Sequence, residues 1–138
     1  MTGEDEARRW LAVAVEDLDF AAYAEQGEYH AHACFSAQQA AEKAVKAVHY
    51  AGGARAVLGH SVRNLIERLD PRVAELDARL DDARDLDLYY VPTRYPNGLD
   101  SWTPATGFAK PQAERALAAA SAIVETVRKH LQTRLGPA

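Results

Sequence analysis

Apolar residues recur at steps of three and four through most of the chain, the period of helices that bury one face. Over residues 6–25, Leu11, Ala14, Val15, Leu18, Ala21 and Ala22 form such a stripe, with Glu16 and Asp19 outside it and Gly27 as its stop. The next pattern, from about 28 to 51, has two apolar sides. Cys34, Phe35, Ala41, Val45 and Val48 make the larger one, and Ala33, Ala37, Ala40, Ala44, Ala47 and Ala51 make a side of small residues that another helix could approach closely. This second helix is therefore predicted to be central, with Gln39, Glu42, Lys43, Lys46 and His49 on its remaining face.

Gly52-Gly53 stops it, and a flexible link leads to His60. Ser61 is a candidate N-cap for a short helix through Val62, Leu65, Ile66 and Leu69. Asp70-Pro71 reads as a cap and first-turn proline, opening a helix through Val73, Leu76, Leu80 and Ala83. The last helix starts near Pro111 and places Ala113, Ala116, Leu117, Ala120, Val124, Val127 and Leu131 on one face, with Gly136-Pro137 at its end. These elements predict one all-α domain over residues 1–138, an up-and-down bundle of four or five helices.

Residues 86–102 interrupt the helical pattern. Pro92 and Pro96 bar a regular helix, Asn97-Gly98 adds a turn signal, and Tyr89, Tyr90, Tyr95, Trp102 and Arg94 crowd the same stretch. A connection this long in a small helical domain is functional or disordered, and its aromatics argue for function.

Composition narrows the chemistry. The 138 residues are long enough for a real core, and 48% are hydrophobic and 26% charged. Sixteen basic against 20 acidic groups give a net charge of -4, so there is no general attraction to nucleic acid or anionic membrane, and binding of that kind has to be local. Residues 43–72 carry Lys43, Lys46, Arg55, Arg63, Arg68 and Arg72 against Glu67 and Asp70, whereas residues 75–87 hold six acidic groups, which predicts a polarised surface. The single Cys34 reads as a small core residue. The charged N-terminus lacks the apolar core of a signal peptide and no stretch matches a membrane span, which leads us to expect a cytoplasmic protein.

Few residues have the spacing that catalysis needs. His30 and His32 are two apart and cannot chelate from one helix face, and no phosphate-binding glycine loop or serine elbow occurs, so neither metal nor cofactor is expected. Glu42 and Lys46 are four apart, in the favourable order for an ion pair; the plain reading is a solvated face with a weak salt bridge. Arg55 and His60 are separated by four residues, and a histidine with an arginine could act on an RNA 2′-hydroxyl and its neighbouring phosphate. For Arg94, the alternatives are a phosphate ligand beside stacking rings or a partner for Asp87 or Asp100.

The run QQAAEKAVKA at residues 38–47, His60 at the next helix start and YYVPTRYP at residues 89–96, in that order, resemble the HEPN domain family. The resemblance covers nearly the whole chain, from Trp10 and Asp17-Leu18 to the final helix. It implies an all-helical bundle, a homodimer, and a nucleotidyltransferase as protein partner in a toxin-antitoxin-like module. It marks Gln39, Glu42, Lys43, Lys46, His60, Tyr90, Arg94, Tyr95 and Pro96 as the site for a nucleotide or RNA phosphate. Some members are metal-independent endoribonucleases. Their arginine and histidine lie near the start of a late helix, whereas here no histidine follows Arg94 closely and Ala56 follows Arg55 where a polar residue is usual. The resemblance therefore implies binding first, an RNase using His60 with Arg55 or Arg94 second, and a structural dimer module third.

Overall fold

The computed structural model describes residues 1–100 and 102–137. Within them the chain forms α1 (Gly3–Gln26), α2 (His30–Ala51), α3 (Val62–Glu67), α4 (Ala74–Asp77), α5 (Leu80–Asp87), a single 3-10 turn (Pro96–Gly98), α6 (Pro104–Gly107) and α7 (Lys110–Leu135), with no strand among the described residues. The all-α bundle expected from periodicity is the fold observed. Three long helices carry it: α2 lies against both α1 and α7, and α5 packs on α7 and α3.

Alanine explains how close α1 and α2 come. The first buries Ala7, Ala14, Ala21 and Ala24, the second Ala33, Ala37, Ala40, Ala44 and Ala47, and small side chains on both allow close approach of the axes. A Cβ on Gly3 would stand 2.7 Å from the Tyr50 carbonyl, so α1 can begin against the end of α2 only with glycine there. The predicted stripe on α1 is one position too wide. Val15 and Ala22 are exposed, and half-buried Trp10 takes part instead, its ring stacked on Tyr50 at 5.2 Å. The stripe on α7 is as predicted, apart from Leu117, which is only half-buried.

Caps set the short elements. Ser61 caps α3 as expected, its Oγ accepting from the Asn64 amide at 3.0 Å. Pro71 does not open a helix. Asp70–Pro71 is a cis peptide, Val73 is the N-cap of α4, and the predicted single helix through Ala83 breaks at Ala78–Arg79 into α4 and α5. The start of α7 is closed by Gln112, whose side-chain oxygen accepts from the Ala109 amide at 3.0 Å.

Cys34 is buried in the core, and that burial pushes its thiol up to about 12, so it stays protonated and inert at neutral pH. No helix among the described residues is long and apolar enough to cross a membrane.

Two histidines tie stability to pH. His49 donates Nε2–H to the Leu65 carbonyl at 2.8 Å, and burial holds it below the ordinary histidine range. Burial, then the nearby Arg134 charge, does the same to His130. Both rings resist protonation when folded and accept it when unfolded, so the unfolded state binds more protons below the ordinary histidine pKa of about 6.5. We expect stability to fall as pH drops from 7.5 to 5.5, read as a lower urea midpoint, and the slope to flatten in His49→Gln. An unchanged slope in that variant would remove His49 from the account.

Candidate functional site

The site is built on one face of α2. Gln38, Glu42 and Lys46 are spaced four apart, which places them in a row one turn above another. The row is not the solvated stripe its charges predict. Glu42 and Lys46 side chains are only 4% and 8% exposed, because His60 from the α2–α3 link and Trp10 from α1 close over them. Lys46 Nζ donates to Glu42 Oε2 at 3.0 Å and lies 5.8 Å from the Trp10 ring centre. Gln38 and Gln39 each donate to Glu42 Oε1 at 3.2 Å, and Gln38 also donates to the His60 carbonyl at 2.8 Å. The buried carboxylate is thus surrounded by donors, the condition under which a charge can stay in the interior.

His60 completes the set. Its Nδ1 is 3.2 Å from Glu42 Oε1, and since an ionised carboxylate only accepts, Nδ1 carries the hydrogen. In the neutral ring the lone pair then sits on Nε2. The side chain is 55% exposed, and a carboxylate orients Nδ1 while Nε2 keeps its lone pair, the arrangement a general base requires.

The turns after α5 bring the second half. The Tyr90 ring stacks on His60, with centres 4.3 Å apart and planes 16° from parallel. Arg94 lies against three rings at once, its guanidinium carbon 4.3 Å from the centre of Tyr90, 4.7 Å from Phe35 and 4.9 Å from Tyr95. Its Nε donates to the Tyr90 carbonyl at 2.9 Å, which fixes the plane and leaves the terminal nitrogens for a ligand. From Glu42 through His60 and Tyr90 to Arg94 the groups form one continuous contact chain.

The structure therefore brings together Gln39, Glu42, Lys46, His60, Tyr90, Arg94 and Tyr95 of the predicted set, with Pro96 opening the 3-10 turn just beyond. Lys43 is placed elsewhere: its Nζ pairs with Asp17 of α1 at 2.7 Å, which pins α1 to α2. Arg55 is exposed in the link and makes no bond to this cluster. Nor does Arg94 neutralise Asp87, which caps α3 instead through Ser61 Oγ and the Val62 amide, both at 2.6 Å. The predicted basic surface is largely self-paired, with Arg63 on Glu67 and Arg72 on Asp77. Tyr89 is core, while Trp102 is 76% exposed.

Gln38, Phe35 and Asp87 are site residues that spacing alone does not single out. The i, i+4 relation of Gln38 to Glu42 is an available signal; Phe35 falls with the core positions, and nothing local distinguishes Asp87 from the other acids around it.

The helical bundle is of a class already seen in solved structures. The crystal structure of TT1696 from Thermus thermophilus matches with a TM-score of 0.83 at 38% identity, over 90% of this chain and 97% of that one. That of ST0689, an archaeal HEPN homologue, matches with a TM-score of 0.75 at 32% identity, over 91% and 98%. The chain belongs to the HEPN family: the HEPN domain model matches residues 7–130. A protein of Methanocaldococcus jannaschii named "Putative toxin MJ1304" is 28% identical over 94% of this chain and 91% of its own length.

Proposed function

We propose that this protein binds a nucleotide or RNA phosphate on the surface formed by His60, Tyr90 and Arg94, as a homodimer in a toxin-antitoxin-like module whose protein partner is a nucleotidyltransferase. The observation that carries the binding reading is exposed Arg94, held among three rings with its Nε bonded to the Tyr90 carbonyl, on the same Tyr90 ring that stacks on His60. A fixed, aromatic-backed guanidinium is suited to a phosphate oxygen, and it loses little freedom on binding one. The similarity to the M. jannaschii protein supports the toxin-like setting. Exposed Phe20, Tyr23 and Tyr29 around a cavity of about 530 Å³ support a protein contact at the turn between α1 and α2.

In fluorescence anisotropy with a labelled single-stranded RNA at low salt, Arg94→Ala is expected to weaken binding about tenfold, a change of about 1.4 kcal/mol. Equal affinity of the variant and the parent would overturn the reading. The Glu42–His60 pair favours one further possibility, a metal-independent endoribonuclease with His60 as general base toward a 2′-hydroxyl. Cleavage of the same RNA in the presence of a chelator, lost in His60→Ala, would put that chemistry in place of simple binding.

A further inference from the structure

A second cavity of about 350 Å³ opens beside Arg94, between the first turns of α2 and the residues leading into α6. Its size falls in the range of small-ligand sites, roughly 300–1,000 Å³. Phe35 and Pro104 give it apolar walls, and the Phe35 ring is the same one that supports the Arg94 guanidinium. Thr93, Thr103 and His32 supply its polar edge. The Thr93 hydroxyl donates to the Tyr89 carbonyl, which leaves its oxygen able to act only as an acceptor toward an occupant. Neither a carboxylate nor a lysine lines the cavity, and Arg94 at its border is the one guanidinium.

That charge distribution selects the occupant. A second phosphate would meet no second arginine or lysine, and a sugar would find too few polar partners. A flat, uncharged ring attached to a single anion fits: its face lies on an aromatic wall, its edge meets hydroxyls, and its anion reaches the guanidinium. We infer that this cavity takes the base of a single-stranded RNA nucleotide whose phosphate lies against Arg94. The inference rests on the phosphate-binding reading above and adds to it a subsite lined by Phe35, Thr93 and Thr103.

The test compares a fluorescein-labelled hexaadenylate RNA with an abasic ribose-phosphate chain of equal length, on the full chain and on Ala105→Leu. Ala105 lines the cavity from exposed α6, and leucine fills the space without offering a ring for stacking. The parent is expected to bind hexaadenylate about tenfold or more tightly than the abasic chain, the scale of one stacked base. Ala105→Leu should lose that preference while binding the abasic chain as the parent does. Equal affinity of the parent for both chains, with binding still dependent on Arg94, would overturn the base subsite and leave the phosphate reading standing. A preference that survives Ala105→Leu would also overturn it, because the base would then be read elsewhere. Binding of neither chain would overturn both. Displacement of the RNA by AMP at equal nucleotide concentration would overturn RNA as the occupant, in favour of a free mononucleotide.

Discussion

Lys46→Ala is expected to destabilise the protein by roughly 3–5 kcal/mol, the cost of removing one partner of a buried ion pair. The loss is large because Glu42 stays behind, 4% exposed, with amide donors from Gln38 and Gln39 and the His60 ring but no lysine or arginine paired to it, Lys43 being held by Asp17. Against a typical total of about 5–15 kcal/mol, much of the fold's margin would go. Urea unfolding at neutral pH reads it directly. A loss under about 1 kcal/mol would mean that the pair behaves as a solvated one. Replacing both charges together, as Glu42→Leu with Lys46→Met, should restore most of the stability, since two desolvated charges attract each other about as strongly as it costs to bury them. The same double variant removes the carboxylate that orients His60. It should therefore separate stability from ligand binding, being folded but weakened for RNA.

Asp87→Ala is expected to cost about 2–3 kcal/mol, on the scale of hydrogen bonds to a charged group plus a stranded donor. One carboxylate accepts from Ser61 Oγ and the Val62 amide at 2.6 Å, with the Arg63 amide at 3.4 Å. Without it the amide of fully buried Val62 has no acceptor, and the first turn of α3 keeps only the Ser61 cap. Since His60 immediately precedes that turn, its ring should also lose definition against Glu42 and Tyr90. Asp87→Asn retains an acceptor oxygen and should lose markedly less. Chemical unfolding of the two variants checks this, and equal losses would show that the charge and its bonds are not what holds α3 in place.

Much of the architecture could be read from residue spacing. The period of the apolar residues located α1, α2 and α7, because a long amphipathic helix repeats its signal over many turns. Ser61 and Gly27 located ends, since capping chemistry is local. Where the signal was short, it misled. A proline after an aspartate opens helices often enough to be believed, but Pro71 here follows a cis bond in a turn. On α1, Val15 satisfied the period and still faces outward, because the alanine-lined contact with α2 is narrow and Trp10 fills its margin.

The candidate site divides along the same line. Residue types and their order were enough to single out Glu42, Lys46, His60, Tyr90, Arg94 and Tyr95, and to place the chain in its family. Spacing along α2 also showed that Glu42 and Lys46 share a face. Whether that face is wet or dry is decided by what lies over it, and the covering groups, His60 and Trp10, come from 18 and 32 residues away from Glu42. Arg94 offered the same ambiguity. Its charge allowed a bond to Asp87 as readily as a stack on aromatic rings, and the choice fell to the fold, which spends Asp87 on the first turn of α3 and leaves Arg94 against Phe35, Tyr90 and Tyr95. Local pattern determined the helices and named the chemically able side chains. Burial, pairing and the direction in which each charge points depend on contacts between distant segments, and only the packed molecule decides those.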